Sequence, residues 1–297
     1  MNKVIVIVGP TGVGKTKLSI ELAKRLKGEI INADSTQVYK DLDIATAKVT
    51  KEEMENIPHH LIDIKTVEED YTVYHYQQDS RKTIEEILNN QKTPIMVGGT
   101  GLYIKASLYN YRFEEEPKKN NYDSFSNDEL YEMLLERDPN TEIHKNNRKR
   151  IERALDYYQF NKEPLSSKNK SNELLYDTIF IGLTTSREQL YEKINNRVEE
   201  MIDSGLLEEA KKIYDLNIRT KAVMTPIGYK ELFEYFDGYK TLEESVSLIK
   251  QRSRKYAKRQ YTWFNNQMSI NWFETNYENF NKTVEEIIKF LNKNSKE

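Results

Sequence analysis

Residues 4–16 read VIVIVGPTGVGKT, and no other stretch limits the fold so strongly. Residues 4–8 are continuously apolar and β-branched, which predicts a short strand buried on both faces. The chain then turns through Gly9, Pro10, Thr11, Gly12, Val13 and Gly14 and enters a helical pattern over residues 15–26. The match to G-x-x-x-x-G-K-[ST] is complete, with a strand before it and a helix after it. Glycines let such a loop turn its N–H groups inward, and the helix N-terminus behind them completes an anion hole for a diphosphate. Lys15 adds a full charge, and the Thr16 hydroxyl is placed to hold Mg²⁺. A glycine-rich turn without a ligand is the competing reading, and agreement at every motif position counts against it. The motif specifies a polyphosphate and leaves its identity to the rest of the chain.

Further strands are expected at residues 30–31, running to Asp34, at 57–63 as a turn and strand, and at 93–97, with helices over 73–89 and from Gly101 through Ile104. Strand–helix alternation of this kind builds a parallel, doubly wound α/β sheet of the P-loop NTPase-like class. From residue 113 the pattern changes. Polar, turn-forming stretches at 114–121 and 166–172 bracket helical patterns at 127–137 and 147–160, which predicts a helical insertion. Residues 177–183 return as a core strand. The remainder reads as helix, over 187–204, 206–216, 228–236, 242–265 and 283–291. The expected organisation is therefore a P-loop core over 1–112, a helical insertion over 113–175, and a core strand with C-terminal helices completing the core over 176–297.

The 297 residues contain no cysteine, so disulfides, thiol catalysis and cysteine-built zinc sites are excluded. His59, His60, His75 and His144 are the only imidazoles, and the adjacent pair reads as structural rather than as a metal site. No signal-peptide pattern or membrane-length apolar run is present, and a soluble cytoplasmic protein is the expectation. With a net charge of −3, any nucleic-acid contact must come from a local patch. Two candidates stand out. Arg148, Lys149, Arg150 and Arg153 cluster on the insertion. Arg252, Arg254, Lys255, Lys258 and Arg259 are interleaved with Tyr256, Tyr261, Trp263 and Phe264 near the end of the chain. Basic residues with aromatics on a helix suit phosphates and exposed bases, although a charge run is commonly only a solvated face.

In an open α/β sheet, ligands bind outside the carboxyl ends of the strands. Asp34 therefore faces the crevice of the phosphate loop, as a proton acceptor, a Mg²⁺ ligand, or a cap on the turn that follows. The segment Gly98-Gly99-Thr100-Gly101 ends another buried strand, where a nucleotide hydrolase places a metal-binding acid. No acid stands there, which argues against ordinary ATPase chemistry. Thr100 is either a hydrogen-bonding group at the crevice or part of a packing turn.

With these residues in view, the sequence resembles the bacterial tRNA dimethylallyltransferases (tRNA isopentenyltransferases). The likeness covers nearly the whole chain and rests on GPTGVGKT (9–16), ADSTQVYK (33–40), DIATAK (43–48), IPHHLID (57–63), VGGTGLYI (97–104), RIERAL (150–155), IGYKEL (227–232) and YAKRQYTWF (256–264). It implies transfer of a dimethylallyl group from dimethylallyl diphosphate to N6 of the adenosine just 3′ of the tRNA anticodon. By this resemblance the loop Gly9–Thr16 holds the prenyl diphosphate rather than ATP, with Mg²⁺ at Thr16, and Asp34 takes the amine proton. Arg197 meets the diphosphate, and Thr100 contacts the target nucleotide. The tRNA contacts fall on Asp34, Ser35, Thr36, Gln37, Thr100, Lys149, Arg150, Arg153, Arg252, Lys255, Lys258 and Arg259, and the helical insertion binds tRNA. A stacked base cannot reach such a crevice, so the adenosine is flipped out. A monomer with no obligate protein partner is expected. Ala45 stands where many members have Gly, and Thr36 where Met or Arg is common; neither departure removes a catalytic group. A P-loop small-molecule kinase, an adenylate isopentenyltransferase acting on free AMP, and a non-catalytic RNA-binding protein are the alternatives.

Overall fold

Alternation along β1 (Lys3–Val8) sends Val4, Val6 and Val8 into one hydrophobic cluster, and Ile5 and Ile7 into another on the opposite face. The strand is thus the boundary between two cores. The structure, a computed structural model, describes residues 3–111, 113, 120–167 and 173–294. The polar stretches 114–119 and 168–172, expected to form turns, lie outside these residues.

After β1 come α1 (Lys15–Leu26), β2 (Gly28–Asn32), β3 (His59–His60), α2 (Val73–Asn89), β4 (Thr93–Val97) and α3 (Gly101–Leu108). Residues Asn110–Glu173 form a separate compact unit. In it α4 (Asn127–Arg137) and α5 (Arg148–Asn161) close a small core of Leu130, Leu134, Ile151, Ala154 and Leu155. The chain returns as β5 (Asp177–Thr184), α6 (Arg187–Asp203), α7 (Leu206–Asp215), α8 (Lys221–Met224), α9 (Tyr229–Phe236), α10 (Leu242–Gln267), β6 (Asn271–Glu274) and α11 (Phe280–Lys293).

Among the described residues the strands form one parallel sheet in the order β3-β2-β4-β1-β5-β6. The doubly wound α/β reading therefore holds, with one correction. The chain after β5 is not all helix, because β6 adds an edge strand parallel to β5. It is four residues long, too short for its alternation to stand out beside the flanking helices. Helices α1 and α11 contribute to the cluster containing Ile5 and Ile7, and α2, α3, α7 and α9 to the one containing Val4, Val6 and Val8. Both faces are covered, as an all-parallel sheet requires. The carboxyl ends of β1, β2 and β4 then open together on one edge, and every loop discussed below leaves from that edge.

Candidate active site

The loop after β1 is built by backbone conformation. Gly9, Gly12 and Gly14 all have positive φ. Gly14, at φ 93°, is the N-terminal cap of α1, and a Cβ there would fall 2.7 Å from the Phe280 ring. Helix α1 begins without a side-chain cap and without an acid in its first turn, so its positive end is left for an external anion. Lys15 Nζ donates to the Pro10 carbonyl at 2.7 Å. Burial, the nearby positive charge of Arg197 and, in the opposite sense, the Asp34 carboxylate together bring the Lys15 ammonium down to about 7. Arg197, on α6, is likewise held below its ordinary range by burial, against the pull of Glu200, Glu53 and Asp34. Two cations, both lowered by burial and one of them lowered further by the other, form a cradle for an anion.

Asp34 follows β2 by two residues. Its Oδ1 accepts from the Thr36 N–H at 2.9 Å and from the Thr36 hydroxyl at 2.6 Å. Oδ2 has no hydrogen-bond partner among the described residues. The turn-capping and proton-accepting readings thus occupy different oxygens of one carboxylate. Across the crevice, the Thr100 hydroxyl accepts from the Ser35 N–H, and the Thr100 N–H donates to the Ala33 carbonyl at 3.1 Å. The glycines before Thr100 permit this approach. A Cβ on Gly98 would sit 2.3 Å from the Ala33 carbonyl, and one on Gly99 would sit 2.0 Å from Gln260 Nε2. The segment is therefore both a packing turn and a support for a crevice hydroxyl.

Gln37 donates its side-chain amide to the Thr46 and Ala47 carbonyls at 3.0 and 3.2 Å. It joins the segment after Asp34 to the turn over residues 43–48. That turn is held again by Lys48, whose Nζ reaches the Tyr39 carbonyl, Asp43 and Asp63. The histidine pair is structural: His60 contacts Glu29 at 2.6 Å, and His59 Nδ1 pairs with the Ile57 carbonyl.

Sequence reasoning set Tyr256 among the aromatics of a nucleic-acid-binding face, not at the crevice, and gave no role to Gln260. Gln260 is buried on the inward side of α10 and donates to the Gly99 carbonyl at 3.2 Å. The Tyr256 hydroxyl lies beside the Thr100 and Gln260 side chains, and burial, with Asp34 nearby, raises it well above its ordinary range. It stays a neutral donor. The available signal was the i, i+4 spacing of 256 and 260, which places both on one helix face.

The basic residues divide. On the unit Asn110–Glu173, Lys149, Arg150 and Arg153 are exposed on α5. Arg148 is spent on structure, donating to the Tyr122 and Phe125 carbonyls and pairing with Glu152. On α10, Arg252 pairs with Glu231, a carboxylate only 2 % exposed. Lys255 and Arg259 join Arg252 and Lys230 around a cleft of about 520 Å³, while Lys258 is exposed.

Among the described residues, no three His, Cys, Asp or Glu side chains gather into a metal cage. The exposed Thr16 side chain in the first turn of α1 fits a hard cation that takes its other ligands from a phosphate and water. Among the described residues, no helix is long and apolar enough to cross a membrane.

Comparisons with known proteins bear on the family of the chain. A family model described as IPP transferase matches residues 37–267; the phosphate loop lies outside that match and is independent of it. The chain is 49% identical to the tRNA dimethylallyltransferase of Anoxybacillus flavithermus, covering 98% of this chain and 96% of that protein. It is 47% identical to the tRNA dimethylallyltransferase of Geobacillus thermodenitrificans, with the same coverage. The crystal structure of the tRNA isopentenylpyrophosphate transferase from Bacillus halodurans superposes with a TM-score of 0.77 at 42% identity, covering 98% of this chain and 96% of that one. A eukaryotic dimethylallyltransferase acting on tRNA superposes with a TM-score of 0.80 at 34% identity, over 92% of this chain and 74% of that one. Relatives so similar along the full length of this chain, together with the family match, settle its membership: the chain belongs to the IPP transferase family.

Proposed function

We propose that this protein transfers the dimethylallyl group of dimethylallyl diphosphate to N6 of the adenosine 3′-adjacent to the anticodon in tRNA, acting as a monomer in the cytoplasm. The observation that carries this reading is the meeting of two chemistries in one crevice. Lys15 and Arg197 suit a leaving diphosphate, and the unpartnered Oδ2 of Asp34 suits an amine proton.

An adenine amine is a weak nucleophile because its lone pair is delocalised into the ring. As the bond from N6 to the allylic carbon forms, the carbon–oxygen bond to the diphosphate breaks. The N6 proton passes to Asp34 Oδ2, while Thr36 fixes Oδ1. Negative charge grows on the departing diphosphate, where Lys15, Arg197 and the inward N–H groups of the loop stabilise it. Mg²⁺, held through the Thr16 hydroxyl, supplies further neutralisation of that charge when bound. The target base has to leave its stack to reach Asp34, with Ser35, Thr36, Gln37 and Thr100 along its approach. Backbone phosphates are taken up by Lys149, Arg150 and Arg153 and by Lys255, Lys258 and Arg259, which set affinity rather than base choice. Arg252 shapes this surface through Glu231.

A P-loop kinase remains the second reading, because the loop and Asp34 alone also suit phosphoryl transfer. The glycines at the end of β4, packed on Ala33 and Gln260, leave no acid there to hold the metal such an enzyme uses. The deciding assay incubates the protein with Mg²⁺, dimethylallyl diphosphate and either tRNA or AMP, and follows prenyl transfer and phosphate release from ATP in parallel. Prenyl transfer to tRNA is expected. Release of phosphate from ATP at a comparable rate would restore the kinase.

A further inference from the structure

Asp34 lies just past the end of the sheet, and its backbone takes no part in the ladder. Ala33, one residue earlier, still donates to the Val97 carbonyl at 2.8 Å. Asp34 turns instead to the side chain of Asn32. Asn32 Oδ1 accepts the Asp34 N–H at 3.0 Å, and Asn32 Nδ2 donates to the Asp34 carbonyl at 3.1 Å. The second hydrogen of the same amide goes to the Leu61 carbonyl at 3.0 Å. Asn32 is 3 % exposed, so these bonds form away from competing water. Its own carbonyl accepts the hydroxyl of the fully buried Tyr76 at 2.8 Å. Tyr76 in turn stacks on Tyr103 with ring centroids 4.0 Å apart.

We propose that Asn32 is a positioning residue for Asp34, and that its side-chain amide sets the direction in which the carboxylate faces the crevice. The inference rests on the reading of Asp34 as the proton acceptor. A side chain grips the backbone of one residue at both its N–H and its C=O only if it supplies an acceptor and a donor together, as the Asn amide does. With the backbone of Asp34 held this way and Oδ1 held by Thr36, little freedom remains in the Cα–Cβ vector. Oδ2 then points where substrate must come. Placement matters because a shift of about 1 Å in a catalytic group costs up to about 100-fold in rate.

The test is a double-mutant cycle read by single-turnover prenyl transfer to tRNA at saturating donor. Asn32→Ala is expected to slow transfer about 10- to 100-fold, with affinities for dimethylallyl diphosphate and tRNA within about threefold of wild type. In the Asp34→Asn background the same change should cost less than about twofold, because Asn32 acts through the group already disabled. Asn32→Ser keeps an acceptor for the Asp34 N–H and should recover part of the rate. It also carries the cycle if the alanine variant does not melt cooperatively. Transfer by the Asn32 variants within twofold of wild type overturns the proposal, as does an undiminished effect in the double mutant. If Asp34→Asn alone runs near wild type, the proton-acceptor reading has failed first, and that single variant reveals it.

Discussion

The Thr100 hydroxyl accepts the backbone N–H of Ser35 at 3.0 Å and donates to the Ser35 hydroxyl at 3.3 Å. One side chain thereby ties the end of β4 to the segment that carries Asp34. The crevice is assembled from two strand ends that cannot move apart without breaking these bonds. The proposed proton acceptor and the proposed nucleotide contact belong to one rigid piece of structure.

That rigidity makes Asp34→Asn a clean experiment. The amide keeps the shape and can still accept from Thr36, but it takes no proton at neutral pH. General-base contributions are typically about 10²–10⁴-fold, and a fall of that order in the single-turnover rate is expected, with donor affinity nearly unchanged. A rate within a few-fold of wild type would leave Asp34 as a turn cap only.

Lys15 predicts a pH dependence in donor binding. In the free protein its ammonium is brought down to about 7, first by burial and then by Arg197. Only the protonated form complements a diphosphate, and bound anion raises the value again. Inorganic diphosphate affinity should therefore fall by up to about tenfold per unit as pH rises above 7, measured by titration calorimetry. For stability the sign is opposite. Between about 7 and the unfolded value of about 10.4, the unfolded chain holds more protons, so the empty protein gains stability as pH rises through that window. Below it, the burial penalty on the charged form is complete. Lys15→Met should thus raise the melting temperature of the empty protein at pH 6, on the order of 2 °C, while abolishing diphosphate binding. A variant that binds diphosphate as wild type does would remove the loop from the site.

Much of this could be read from residues alone, because the constraints were local. The pattern G-x-x-x-x-G-K-[ST] specifies its own turn, and Asp34 and Thr100 stand at strand ends that an α/β sheet must bring to one edge. Arg252 was less legible. It lies in a run without acids and looks like a free cation, yet its partner Glu231 arrives from α9, distant in sequence and buried. Asn32 was passed over for a similar reason. A polar residue closing a strand is unremarkable until its amide is seen to grip the residue two positions on. Side-chain pairings that depend on packing between helices, or on the conformation of one turn, leave no periodic trace.

The same distinction separates the α10 cations in a salt titration. Neutralising Lys255, Lys258 or Arg259 should each flatten the salt dependence of tRNA binding by about one unit of slope if the side chain meets a phosphate. Arg252→Ala should act on the fold instead. It strands the buried Glu231 carboxylate, which also accepts the Gly228 N–H at 2.8 Å; because the Arg252 end of the pair is partly exposed, the cost is about 1–3 kcal/mol. Filter binding at several salt concentrations, with thermal melts alongside, reads both. An unchanged slope in all of the first three variants would reject the patch.

The last prediction concerns Glu209, on α7. Its carboxylate accepts the backbone N–H groups of Asp43, Ile44 and Ala45 at 2.9–3.1 Å, and the Tyr229 hydroxyl at 2.7 Å. Three successive N–H groups at the start of a turn make a small anion site, and here the protein fills it with its own side chain. Burial, with Glu209 second, holds the Tyr229 hydroxyl well above its ordinary range, so it remains a donor. The turn so anchored also receives the Gln37 amide at Thr46 and Ala47. Glu209 therefore supports, through residues 43–47, the segment proposed to meet the nucleotide. Glu209→Gln keeps the volume but weakens charge-assisted bonds, each worth about 1.5–3 kcal/mol. The variant should raise the KM for tRNA several-fold and destabilise the fold modestly, while dimethylallyl diphosphate affinity stays at the wild-type value, because the phosphate loop lies on β1 and α1. Tyr229→Phe should show the same pattern more weakly. Equal losses of donor and tRNA affinity in Glu209→Gln would mean the turn supports the whole crevice, and Gln37 would lose its separate place in tRNA recognition.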